Sequence, residues 1–203
     1  MLWVVMDLKK LKHNALLHLK LNWPNAIFGA LISIVLWSLV VLRFFEVGSV
    51  LLLFILFMPF MVGISRYHYS LSYPKKANIK EFLYGFHERT YLRSLGGLAL
   101  KYFYLFWWTL FFIVPGIYKA ISYAMTTYIL QDPDFSHLND FQVISKSKQM
   151  MNGHKTEYFI LMLSFLPWFL LSVLSAGIGL FFTLPYYEQA KAEFYRELEK
   201  DIF

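Results

Sequence analysis

The stretch "LFFIVPGIYKAISYAMTTYIL", residues 110 to 130, decides the fold. It belongs to an apolar run from Leu98 to Leu130 that a Pro-Gly pair and then Lys119 interrupt. As one straight helix the run would be roughly 50 Å long, too long for a hydrocarbon core of about 30 Å. Pro removes a helix hydrogen bond and Gly removes backbone restraint, so Pro115-Gly116 is either a kink or a reversal. A second long run, Glu157 to Tyr187, carries the same kind of break at "SAGIG", residues 175–179, with Gly177 and Gly179 as its breakers. If both breaks are kinks, the chain has four spans and segment 131–156 lies outside. If both are hairpins, it has six, and 131–156 shares a compartment with both termini.

Positive charge separates the two. Lysines and arginines favour the cytoplasmic side of a span. Lys9, Lys10, Lys12 and Lys20 precede the first run. Arg66, Lys75, Lys76, Lys80, Arg89 and Arg93 fill 65–97. Lys146, Lys148 and Lys155 lie in 131–156, and Lys191, Arg196 and Lys200 in the tail. Six spans place all of these inside and leave Arg43 and Lys119 at outer turns. The expected fold is therefore all-α: a polytopic helical membrane bundle of about six spans in three hairpins, with amphipathic interfacial helices. The whole chain, 1–203, is expected to be one integral membrane domain. Its spans are 26–42, 47–64, 98–114, 117–130, 157–174 and 178–192, and its cytoplasmic segments 1–24, 65–97, 131–156 and 193–203. The first turn is assigned to Arg43–Glu46.

Composition agrees. Of 203 residues, 58% are hydrophobic and 20% aromatic, and only 16% are charged, against roughly 25% in soluble domains. There is no cysteine, so disulfide and thiolate chemistry are excluded. The net charge of +6 is dispersed between apolar runs. That pattern points to anionic lipid headgroups and not to nucleic acid. "MLWVV" is too short for a secretory signal, so insertion by the spans themselves is expected, with translation from Met1 or Met6.

Three segments outside the runs read as amphipathic helices. Leu8, Leu11, Ala15 and Leu19 form one stripe. Leu138, Phe141, Ile144 and Met151 form another, with Ser136 as N-cap and Gly153 as stop. Ala190, Phe194, Leu198 and Ile202 form the third. They either lie in the headgroup plane, with Lys9, Lys10, Lys12, Lys146, Lys148 and Lys155 as interfacial basic residues, or cap the bundle.

The runs "PGIYKAISYAMTTYILQDP", "SKSKQMMNGHK", "LSFLPWFLL", "GIG" and "PYYEQAKAEFY", with "NWPNAI" near the start, resemble a family of small bacterial integral membrane proteins catalogued as domain of unknown function 975. The resemblance implies a multi-pass helical protein of a bacterial plasma membrane. It implies no activity.

No enzyme signature appears. The histidines make no His-Glu-x-x-His pattern, "VGISR" lacks the second glycine of a nucleophile elbow, and "SAGIG" has no Lys-Ser or Lys-Thr after it. Lys101 and Lys119 are expected to reach the interfaces, and Glu188 to pair with Lys191. No cofactor, metal or catalytic residue is expected. The function expected is non-enzymatic: binding a lipid, a peptide or a membrane-protein partner. The alternative is a small transporter or channel using the Pro/Gly-broken helices. An intramembrane enzyme resting on His68 and His87 is a third reading.

Overall fold

The computed structural model describes residues 6–20, 22–42, 47–73, 78–111 and 113–200. The expected turn Arg43–Glu46, Lys75, Lys76, Ile202 and the choice of start at Met1 lie outside them. The described residues are all-α, without strands. The helices are α1 (Leu8–Leu19), α2 (Trp23–Leu42), α3 (Val47–Leu71), α4 (Glu88–Phe111), α5 (Ile113–Ser122), α6 (Thr126–Gln131), α7 (Asp140–Met150), α8 (Lys155–Leu174) and α9 (Leu180–Lys200). Short 3-10 segments cover Ile79–Phe86 and Pro133–Phe135.

The chain reverses between α4 and α5. Tyr104 meets Tyr123 with ring centroids 6.4 Å apart, the Lys119 ammonium lies 4.6 Å from the Trp108 ring centroid, and Gly116 abuts Thr109. Those pairings run antiparallel. The reversal thus falls just before the Pro-Gly pair. Pro115 is the third residue of α5, where a missing N–H costs no helix bond. The expected single helix over 117–130 is in fact two, α5 and α6, joined by a turn at Tyr123–Met125.

α8 and α9 also pair antiparallel. The Ser172 and Thr183 hydroxyls are 2.9 Å apart, and Tyr158 meets Phe194 at 5.1 Å. The turn is built from left-handed residues, Ala176 at φ 53° and Gly177 at φ 87°. Gly177 N–H donates back to the Ser172 carbonyl and Gly179 N–H to Ser175 Oγ. This is a Schellman-type helix ending, which glycine favours because it carries no Cβ. α9 then runs unbroken to Lys200. The tail from 193 is therefore not a separate amphipathic segment: Ala190, Phe194 and Leu198 lie on one buried face of a single helix.

α1 begins where Asp7 accepts from the backbone N–H of Lys9 and Lys10, an N-cap. Its Leu11, Ala15 and Leu19 are buried against the bundle. α7 starts at a capping box of Asn139 and Gln142, not at Ser136. Its buried face is Val143, Ile144, Ser147 and Met150, and Phe141 from the expected stripe is exposed.

Much apolar surface faces outward. Phe28, Leu31, Val35 and Leu39 of α2 are exposed, as are Phe103, Phe106, Trp107 and Leu110 of α4 and most of α8 from Phe159 to Leu174. Soluble monomers rarely expose contiguous apolar patches beyond a few hundred Å². Among the described residues α8 has both the length and the hydropathy, 1.8 on average, to cross a bilayer.

Candidate functional site

Three elements meet at one buried polar cluster. α3 supplies His68, the turn just after it Ser72, and α9 supplies Gln189, Glu193 and Arg196. Gln189 and Glu193 are four residues apart on α9, which sets them on one face. α1 adds His18. The Ser72 hydroxyl donates to Glu193 Oε1 at 2.5 Å, and His18 Nδ1 lies 2.6 Å from the same oxygen. Arg196 pairs with Glu193 Oε2 at 2.8 Å and donates to the Ser72 carbonyl at 2.7 Å. Gln189 Nε2 donates to Ser72 Oγ at 3.1 Å, and its Oε1 is 3.0 Å from His68 Nδ1. Glu193 is 1% exposed, so these partners replace the water a buried carboxylate loses. Burial is the main influence on His68 and lowers its pKa to about 4, so the imidazole is neutral at pH 7.

Two cavities flank this region. The larger, about 620 Å³, lies among α2, α3, α9 and the 3-10 segment 79–86. Ala30, Ile34, Phe57 and Leu184 line it, with Ser33, Ser38, His68 and Glu188 as its polar residues. Phe82 forms part of its wall. Its ring lies against Gly29 and stacks on Tyr67 with centroids 4.3 Å apart. The smaller cavity, about 360 Å³, lies among α3, α4, α5, α6, α8 and α9. Met61, Ile64 and Glu188 border both.

The smaller cavity holds Lys101, Lys191 and Glu188. Lys191 Nζ pairs with Glu188 Oε1 at 2.7 Å. Lys101 is 9% exposed, because α3 and α6 pack close to α4.

The basic residues picked from sequence have varied surroundings. Lys9 and Lys10 are exposed. The Lys12 ammonium lies 4.6 Å from the Phe165 ring centroid and donates to the Ser164 carbonyl, and burial lowers its pKa. Lys146 lies over Phe135 and Lys148 over Tyr123. Lys155 donates to the Tyr118 hydroxyl at 2.6 Å. Of the break residues, Pro115, Gly116, Gly177 and Gly179 line neither cavity. His87 is exposed, and His68 is buried against Gln189. Among the described residues no three His, Asp or Glu side chains gather as a metal-sized group.

A second polar cluster closes the far end of α9. Tyr195 donates to Asp132 Oδ2 at 3.0 Å, and Tyr69 donates to Glu199 at 2.9 Å. Burial raises the Glu199 pKa to about 7, with Asp132 adding to the effect and the Tyr69 hydrogen bond opposing it.

No curated protein and no solved structure gives a significant match to the chain. One family model does match, over residues 110–201, from the last turn of α4 to the end of α9. The motifs "SKSKQMMNGHK", "LSFLPWFLL" and "PYYEQAKAEFY" all fall in that window, whereas "NWPNAI" precedes it. The family whose model matches residues 110–201 is described as Protein of unknown function (DUF975).

Proposed function

We propose that this chain is a multi-pass protein of the bacterial plasma membrane, built from three helical hairpins with both termini and segment 131–156 on the cytoplasmic side. It works by binding an amphiphile within the bundle, without chemical conversion. The outward apolar faces of α2, α4 and α8 support lipid as its solvent. The α4–α5 and α8–α9 reversals fit a hairpin topology, and basic α1 packs with α9 near the end that holds Glu193.

The observation that carries the binding reading is the 620 Å³ cavity. Its largely apolar lining, with few polar residues, suits an acyl chain whose polar end meets His68 and Glu188. A transport path through the Pro/Gly breaks draws less support: Gly116 packs on Thr109, and Gly177 faces open space. A lipid partner is favoured over a peptide because few backbone-pairing groups line the cavity.

The test is extraction in a mild neutral detergent and mass spectrometry of the lipid retained per protein. Ile34→Trp, which fills the larger cavity, is expected to halve that amount or more. Retention unchanged by Ile34→Trp in folded protein would count against the cavity as the site.

A further inference from the structure

Lys101 is a buried lysine with no anion in direct contact; Glu188 lines the same cavity and acts on its charge without bonding to it. The residue is 9% exposed, yet among the described residues no hydrogen bond or ion pair meets its ammonium. Its aromatic contact, to the Tyr102 ring, spans 5.9 Å, at the outer limit of about 6 Å for that attraction. Buried charges are ordinarily paired, because an unpaired one forfeits its hydration. Within a bilayer an ionisable side chain without a partner marks a functional site.

The missing partner has a place to sit. Lys101 lines the 360 Å³ cavity together with Lys191, and Glu188 is the one carboxylate among the residues lining it. Glu188 is already held by Lys191 at 2.7 Å. Two ammonium groups thus face one carboxylate, and the cavity carries surplus positive charge. The Thr127 hydroxyl also lines it, and Ile117 and Ile121 supply apolar wall.

We infer that the smaller cavity is an anion site, in which Lys101 pairs with the phosphate or carboxylate oxygens of an anionic amphiphile's head. This deepens the membrane-binding reading above and rests on it. A lysine suits the role because its ammonium is a compact point charge with three rotatable donors. The charge excess selects an anionic head over a zwitterionic one of equal size, and Lys191 remains available to share the oxygens.

The experiment titrates purified protein in neutral detergent with dioleoyl phosphatidylglycerol, with dioleoyl phosphatidylcholine and with inorganic phosphate. Binding is read by native mass spectrometry and by the thermal unfolding midpoint. Wild type is expected to prefer the anionic lipid, and Lys101→Gln to weaken that lipid about ten- to hundredfold with little change for the zwitterionic one, as loss of a charge-assisted bond implies. Lys119→Gln, a lysine that lines neither cavity, should leave the preference intact. A midpoint raised by phosphate alone assigns the site to a free anion. One raised by phosphatidylglycerol alone assigns it to a lipid head, and either supports the anion site. Equal binding of both lipids by wild type with no response to phosphate overturns the anion site and spares the amphiphile reading. A folded Lys101→Gln that keeps the preference does the same. Wild type that holds none of the three overturns both. The wild-type midpoint decides the matter even if Lys101→Gln fails to fold.

Discussion

Gly63→Ala probes how the 3-10 segment 79–86 is held on α3. A Cβ at Gly63 would lie 1.9 Å from the Phe82 carbonyl oxygen and 2.5 Å from its carbonyl carbon. Favourable contact between nonbonded carbons begins near about 3.5 Å. The obstacle is backbone, so it cannot rotate aside. The segment has to move out by about 1.5 Å to restore contact distance. That movement withdraws Phe82, now 3% exposed, from Gly29, from Tyr67 at 4.3 Å and from Phe60 at 6.1 Å. Full burial of a phenylalanine contributes about 1.5–3 kcal/mol, and an aromatic pair about 0.5–1.5 kcal/mol more. The variant is therefore expected to lose about 2–4 kcal/mol, since undocking the segment caps the steric cost. Gly85→Ala should match it, because its Cβ would lie 1.9 Å from the Pro59 carbonyl oxygen. Unfolding in mixed micelles gives the energy, and hydrogen exchange across 79–86 gives the location. Both variants within about 0.5 kcal/mol of wild type, with exchange unchanged, would refute the tight docking. The result also bears on function, because Phe82 walls the larger cavity.

Glu193→Ala leaves His18, Ser72 and Arg196 without their shared acceptor. A loss of about 3–5 kcal/mol is expected in the same titration, and a loss below about 1 kcal/mol would show the network to be dispensable. Asn139→Ala removes the α7 cap and should cost about 1 kcal/mol; a neutral result would contradict the capping box. Glu199 has its folded pKa raised from 4.5 to about 7. The folded state therefore binds its proton more tightly, and this contribution to stability is lost as pH rises from about 4.5 through about 7. His68, lowered from 6.5 to about 4, acts oppositely: its contribution is lost as pH falls from about 6.5 through about 4. Comparing wild type with Glu199→Gln across that range separates the two, and identical pH slopes would contradict the assignment for Glu199.

Helix punctuation was readable in the sequence because it is local chemistry. "SAGIG" holds the left-handed turn itself. "VPG" lies one step past the α4–α5 reversal, since proline marks where a helix starts as readily as where one ends. The stripe of α1 was legible for the same reason, as three of its four apolar positions are fully buried. The stripe at α7 was legible in part: Ile144 and Met151 are buried, but Phe141 points out and Ser147 sits on the buried face, donating to the Ser122 carbonyl at 3.0 Å. Apolar spacing alone cannot see such a hydrogen bond. The Glu193 cluster escaped notice although its signal was present. His68 and Ser72, at and just past the end of α3, and Gln189 and Glu193 on α9, are polar pairs four residues apart, but only tertiary packing brings them face to face. Lys101 was placed by its distance from the end of an apolar run. Its burial depends instead on α3 and α6 packing close to α4, which no local spacing encodes.

The chain has no cysteine, so one introduced thiol reports the topology on which the account depends. Ser136 is exposed in the connection between α6 and α7, and Ser136→Cys is the position to probe with an impermeant maleimide in intact bacterial cells. The hairpin bundle predicts a membrane-bound protein that stays unlabelled until the cells are permeabilised. Labelling in intact cells, or recovery of the protein in the soluble fraction after lysis, would contradict it.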